Sequence, residues 1–189
     1  MEQLKTGKEI TAADLAPHPL AKGEYEQCTF RNCDLSEADL SGFLFESCQF
    51  TGCNLSMAKL DKTSFRDVVF RECKMLGVQF QHCNKFALSF SFHNCVLSHS
   101  SFYQMKLKGT AFSHCQMLEA DLAECDLTSA VFDNCDMAGT SFDRTILEKA
   151  DLRTAYNYVI DPEINKIRKA KFSLPAVTGL LHKYNIDIE

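Results

Sequence analysis

The chain has 189 residues, 46% hydrophobic and 24% charged, with a formal net charge of -5, which fits one domain of ordinary size rather than a disordered or multidomain chain. Eight Gly and four Pro exclude a collagen-like or linker-like composition, and no apolar run approaches the roughly 20 residues that a membrane helix needs. Ten Cys beside no Trp is the compositional oddity.

Taken from the N-terminus, Met1 to Ile10 mixes Lys and Glu without the apolar core of a signal peptide, so a cytoplasmic location is expected. Ile10, Leu15 and Leu20 then begin a spacing of five that continues through Tyr25, Phe30, Leu35, Leu40, Phe45 and onward to Phe80. Cysteines keep the same clock: all neighbouring pairs are separated by multiples of five except Cys83 and Cys95. Two residues after each cysteine stands Phe, Leu or Met, with Lys85 the sole failure. A helix repeats near 3.6 residues and an amphipathic strand at 2, so a sustained period of five fits neither and points to a repeat architecture.

Within that period the pattern Ala-Asp/Asn-Leu is plain at Ala38-Asp39-Leu40, Ala120-Asp121-Leu122 and Ala150-Asp151-Leu152. It resembles the pentapeptide repeat family over roughly residues 13 to 154. The resemblance implies an all-β fold, a right-handed quadrilateral parallel β-helix with one pentapeptide per side and twenty residues per coil. Residues twenty apart should then stack and look alike. Phe30, Phe50, Phe70 and Phe90 suggest one column, continued after a two-residue slip by Phe112 and Phe132. Cys33, Cys53 and Cys73 suggest another, continued by Cys95, Cys115 and Cys135. Phe90 in the old phase and Cys95 in the new one place a two-residue bulge within Ser91 to Asn94, in an irregular stretch from 84 to 94. Phe86 is expected to turn inward there in place of Lys85. Roughly seven coils at about 4.8 Å each make a rod on the order of 30 Å long, whose N-terminal end Met1 to Lys8 would close.

The clock stops after Leu152, so the repeat domain is expected to span 1 to 154 and a capping or dimerisation tail 155 to 189. Ser173 before Leu174 and Pro175 reads as a helix N-cap, and Val177, Leu180, Leu181 and Tyr184 as the apolar face of a helix over about 174 to 184. That face could lid one rod or pair with its copy in a twofold homodimer.

Cysteines at spacings of five and twenty are not the C-x2-C pairs of zinc sites, and they read as small core residues rather than ligands or disulfides. His82, His93, His99, His114 and His182 show no paired spacing and read as loop or surface residues. With no phosphate loop, nucleophile elbow or H-E-x-x-H, and an interior filled by side chains, neither a catalytic residue, a metal nor a cofactor is expected, and the chain reads as non-enzymatic.

Charge is segregated along the chain. Residues 47 to 118 carry eight bases and three acids, whereas residues 119 to 151 carry nine acids and two bases. No Lys or Arg falls between Met117 and Asp143, and Glu119, Asp121, Glu124, Asp126, Asp133, Asp136 and Asp143 occupy outward slots, forming a candidate acidic partner-binding face. On residues alone, the same aspartates suit tight corners equally well. The tail Ile160-Asp161-Pro162-Glu163-Ile164-Asn165-Lys166-Ile167 is similar to the microcin-immunity type of the family, which with the quinolone-resistance and albicidin-immunity types acts on DNA gyrase. That resemblance implies a dimeric rod imitating duplex DNA toward a type II topoisomerase and protecting it from poisons, with no direct nucleic-acid or membrane binding. The alternative is an interaction scaffold for another partner, with the bulge and Phe92 or His93 at its contact.

Overall fold

The computed structural model describes residues 3–16 and 18–187. Every strand pairs in parallel with the strand one coil away. One ladder joins β1 (Gln3–Thr6), β3 (Gly23–Glu26), β5 (Leu44–Glu46) and β7 (Ser64–Arg66). A second joins β2 (Glu9–Thr11), β4 (Thr29–Arg31), β6 (Gln49–Thr51), β8 (Val68–Arg71), β9 (Phe90–His93), β10 (Ala111–Ser113) and β11 (Val131–Asp133). The other two sides are held by single-residue bridges, such as Asp34 to Asn54 to Lys74, and Gln79 to Ser101 to Asp121 to Ser141. The result is a four-sided parallel β-solenoid.

Why a five-residue side closes into a square is visible in the backbone. Two residues after most central apolar positions the chain enters the left-handed region, as at Gln27, Asn32, Glu37 and Ser47, where φ is 51 to 57°. That conformation costs an L-residue roughly 1 kcal/mol, and it is held because the corner's N–H reaches a carbonyl one coil on, as in Gln27 N–H to Glu46 O at 2.9 Å. Aspartate or asparagine just before the central residue supports the bend: Asp39 Oδ1 accepts from Ser41 N–H at 2.9 Å and Asn54 Oδ1 from Ser56 N–H at 3.1 Å. These are Asx turns, and they explain the Ala-Asp-Leu signature locally.

Central side chains fill the interior and stack by coil. Phe30 and Phe50 lie parallel with centroids 4.4 Å apart, and Phe112 over Phe132 at 5.0 Å. All ten cysteines are buried and free. Their position between stacked coils gives each thiol in one column a backbone acceptor: Cys33 Sγ donates to Ile10 O at 3.4 Å, Cys53 to Phe30 O at 3.4 Å and Cys73 to Phe50 O at 3.5 Å. Thr takes over where Cys is absent, with Thr63 Oγ1 on Leu40 O at 2.8 Å and Thr145 Oγ1 on Leu122 O at 2.9 Å. A small residue with one donor is what the slot accepts.

The bulge lies earlier than expected. Asn84 Nδ2 still reaches Ser64 Oγ, twenty residues back, at 3.0 Å. Phe90 already pairs with Val68 and Phe92 with Phe70, twenty-two residues back. The two extra residues therefore fall within 85–89, not within Ser91 to Asn94, and Phe92 rather than Phe90 belongs to the Phe30–Phe132 column. Nor does Phe86 turn inward: it is 72% exposed, its ring 5.7 Å from the Arg66 guanidinium. Phe90 and Met105, both buried, narrow the space around this slot from positions occupied elsewhere by small residues such as Cys28 and Cys125.

Both ends also differ from the expected boundaries. Gln3–Thr6 does not close the rod but forms the first strand of a ladder, and a single helical turn, α1 (Ala12–Leu15), replaces one corner. Met1 and Glu2 lie outside the described residues. At the other end bridges continue through Ile146 to Lys166 and Asp151 to Lys171, so stacking runs past 154. In place of a helix over 174 to 184 there are two 3-10 turns, Val177–Leu180 and His182–Tyr184. Gly179 explains the folded-back path: its backbone lies directly against the last coil, with Ile160 N–H donating to Gly179 O at 3.1 Å, and a Cβ on it would collide with the carbonyl oxygen of Tyr158. No helix among the described residues is long and apolar enough to cross a membrane.

Candidate functional site: the acidic coils and the folded-back tail

The seven expected acids do not share one side of the rod. Asp133 lies in β11 of the second ladder, Asp136 in the bridge column Gln116 to Asp136 to Tyr156, Asp121 in that of Ser101 to Asp121 to Ser141, and Asp126 in that of Lys106 to Asp126 to Ile146. Asp143 shares the side of Asp121, two residues beyond Ser141. Glu119 and Glu124 occupy left-handed corners, at φ 52° and 57°. Successive pentapeptides turn through a right angle, so a run of acids in sequence becomes a belt around the rod. The belt is rigid because its backbone is pinned above and below.

Three of the seven also hold corners. Asp121 Oδ1 accepts from Ala123 N–H at 3.0 Å, Asp126 Oδ1 from Thr128 N–H at 3.2 Å, and Asp136 Oδ1 from Ala138 N–H at 3.2 Å. Asp133 is hydrogen-bonded by Ser113 at 3.2 Å and Thr154 at 3.0 Å. Glu124 receives Gln104 Nε2 at 2.7 Å and Arg144 at 2.8 Å, and those donors, Gln104 first, hold its carboxyl below the usual carboxylate range. Arg144 also meets Asp143 at 3.1 Å, and Lys108 meets Asp126 at 3.2 Å. Glu119 faces His99 at 3.3 Å and remains largely in solvent. Arg144 and Lys108, from the flanking coils, thus offset part of the belt's charge at Glu124, Asp126 and Asp143.

At the C-terminal end, Leu180 and Ala176 pack on the core and Phe172 meets Tyr158 at 5.8 Å. Lys183 clamps the end by reaching Asp161 at 2.8 Å and Glu163 at 2.6 Å, while Tyr184 Oη donates to Glu163 at 2.9 Å. Burial works against the Lys183 charge, yet the two carboxylates hold its ammonium well above the ordinary range. Val177 and Leu181 are half-buried and Tyr184 is exposed, so the four expected tail residues do not form one helical face. Instead the tail and last coil enclose a groove of about 650 Å³ lined by Tyr156, Val159, Pro175, Leu181, His182 and Ile186 among others. Of its lining, Tyr156, Val159 and Ile186 are 46 to 55% exposed. Sequence reasoning registered Gly179 only as a weak point in the expected helix and missed Lys183; a Lys opposite an Asp-Pro-Glu segment carries no periodic signal. Of the two residues expected at a contact, both in β9, Phe92 is fully buried and His93 half-buried, its ring held below the ordinary histidine range by burial and by Arg71.

The pentapeptide repeat region profile matches residues 23–90 and 88–155. The chain belongs to the pentapeptide repeat family. The solenoid is similar in fold to a trypsin-treated, singly substituted form of QnrB1, described as a plasmid-mediated fluoroquinolone resistance protein. That match has a TM-score of 0.62 and 19% identity over 100% of this chain and 98% of that one. A second trypsin-treated form of QnrB1, carrying a different substitution, aligns with a TM-score of 0.53 and 20% identity, over the whole of both chains. No curated protein sequence matches the chain.

Proposed function

We propose that this pentapeptide repeat protein acts without chemistry, by binding a type II topoisomerase, DNA gyrase or topoisomerase IV, in place of duplex DNA and protecting it from topoisomerase poisons. The carrying observation is the belt of acids between Glu119 and Asp143, a segment of sequence without Lys or Arg that wraps all four sides of a rigid rod and is met from the flanking coils by Arg144 and Lys108. Duplex DNA likewise presents charge around its whole circumference, about one per 1.7 Å of axis. A basic surface built to receive it would attract such a rod at long range. Similarity in fold to a fluoroquinolone resistance protein supports the same reading. The exposed apolar rim of the C-terminal groove supports a homodimer, which would double the length of the rod.

Gyrase supercoiling and quinolone-stabilised cleavage, titrated with the protein, test this. Micromolar protein should reduce supercoiling or drug-stabilised cleavage. The variant in which Asp121, Asp126, Asp133, Asp136 and Asp143 are all replaced by Asn keeps corner acceptors while removing five charges, and should lose the effect. Equal potency of that variant, or no effect of the native chain, rejects the mimicry.

A further inference from the structure

The middle of the rod carries a surface of the opposite sign. Arg66 ends β7, Lys85 and Phe86 open the bulge stacked on it through Asn84 and Ser64, and Lys106 and Lys108 follow one coil on. Four bases thus occupy three levels of one side, about 4.8 Å apart. Glu46 pairs with Arg66 at 3.3 Å and Asp126 with Lys108 at 3.2 Å, whereas among the described residues Lys85 and Lys106 meet no carboxylate.

Between those two lysines the bulge leaves a cavity of about 220 Å³ lined by Lys85, Leu88, Gln104, Met105 and Lys106. Its floor is apolar, since Met105 is buried and Leu88 half-buried against the core. The volume equals roughly seven liquid waters, room for one apolar side chain. Beside it Phe86 projects 72% exposed over Arg66, whose Nε–H is buried without an acceptor among the described residues. An exposed phenylalanine beside an apolar-floored cavity flanked by two lysines is the anatomy of an anchor site.

We propose that this side of the solenoid docks an acidic segment of a partner protein, which inserts one apolar side chain between Lys85 and Lys106 and packs against Phe86. Charge complementarity selects an acidic partner. A nucleic acid strand fits less well, because Glu46 and Asp126 stand at the two ends of the basic row and one face of Phe86 is already taken by Arg66, where a base would need the ring free. This surface borders the acidic belt, since Lys106 bridges Asp126 and Lys108 pairs with it at 3.2 Å, so a bound topoisomerase and a second protein would meet at that edge.

Fluorescence anisotropy of a fluorescein-labelled acidic dodecapeptide with a central Leu-Phe pair, at low salt and with the full chain, tests the proposal. Micromolar binding is expected, at least fivefold weaker when Gly-Gly replaces Leu-Phe and at least tenfold weaker for the K85E/K106E double variant. Phe86→Ala should cost severalfold. All three positions are solvent-exposed, and a circular dichroism melt checks folding; should the double variant melt early, Lys85→Ala and Lys106→Ala replace it. Peptide binding indifferent to these changes, no binding, or tighter binding of duplex or single-stranded DNA overturns the proposal. A belt variant that leaves Asp126 in place, with Asp121, Asp133, Asp136 and Asp143 replaced by Asn, should bind the peptide as the native chain does, which separates failure here from failure of the topoisomerase reading.

Discussion

Cys95 Sγ donates to the carbonyl of Phe70, twenty-five residues back, at 3.5 Å. The other thiols of that column, at Cys33, Cys53, Cys73, Cys115 and Cys135, reach back twenty-three. The two-residue insertion is thus absorbed wholly within one coil, and the hydrogen-bond column passes through it unbroken. Buried donors and acceptors are expensive to leave unpaired, so the bulge is confined to a side where strand pairing has ended.

The first prediction concerns the packing that makes this possible. Phe90 is 6% exposed and occupies the slot that Cys28, Cys48 and Val68 fill in earlier coils, with its ring 5.6 Å from Phe80 and 5.0 Å from Phe92. Phe90→Cys restores the column's usual residue but empties the space beside Lys85. It should destabilise the rod by about 3 kcal/mol, as large-to-small core changes do. Chemical denaturation reads this directly, and Phe86→Ala in the same bulge should leave the midpoint nearly unchanged.

These particulars show how far the sequence was readable. The period of five, the stacking columns and the existence of one insertion follow from spacing alone, because each column sees one environment. Where the insertion sits does not, since Phe90 and Phe92 are both apolar and either satisfies the pattern; only the pairing of Phe92 with Phe70 decides. The acids were legible as residues but not as a belt, which requires knowing that each pentapeptide turns a corner. The tail was misread because Val177, Leu180, Leu181 and Tyr184 have helical spacing, while Gly179 and the Lys183 clamp impose a tighter, folded-back path.

Thiol chemistry gives a second prediction. Burial pushes the thiols of Cys33, Cys83 and Cys125 up to about 12. A thiolate is the reactive form and must also be reached by the reagent; because all ten thiols are buried, the native chain should resist iodoacetamide at pH 8 for hours. Denaturation should release all ten cysteines to reaction. Fast labelling of one or two sites in the native state would show that coils open locally.

Corner aspartates should separate shape from charge. Asp126 Oδ1 accepts both from Thr128 N–H and from Thr128 Oγ1, the latter at 2.6 Å. Asp126→Asn retains the acceptor and should melt within a degree or two of the native chain, whereas Asp126→Ala should lose about 1 kcal/mol, the usual worth of such a capping bond. Thermal melts of the pair check it; an equal loss would mean that charge, not the acceptor, stabilises the corner.

Acid lability should begin at the last coils. Arg153 hydrogen-bonds Asp151 at 2.8 Å and Lys171 lies 3.6 Å away, holding its carboxyl at about 2 against an ordinary 3.8. A depressed folded-state value means stability that is full above pH 4 and lost as pH falls through 2. Discounted for partial exposure, the contribution is about 1 kcal/mol. Arg153→Ala should therefore lower stability at pH 6 by that amount and flatten the dependence between pH 4 and pH 2. Parallel native and variant slopes in that window would contradict the assignment.

Gly179 offers a test of whether the tail joins two rods. The carbonyl oxygen of Tyr158, which a Cβ here would overlap, is backbone and cannot swing aside, and the Tyr158 ring lies 2.9 Å from the same point. Gly179→Ala should therefore lift the tail from the last coil, break the Ile160 to Gly179 hydrogen bond and loosen the Lys183 clamp on Asp161 and Glu163. The coils beneath should stay folded, because their pairing through Lys171 does not involve the tail. If the groove rim joins two rods, light scattering should report a shift from dimer to monomer in this variant with unchanged far-ultraviolet circular dichroism. A native chain that is already monomeric at high micromolar concentration would instead assign the tail to capping alone, and the variant should then show only faster proteolysis after Lys171.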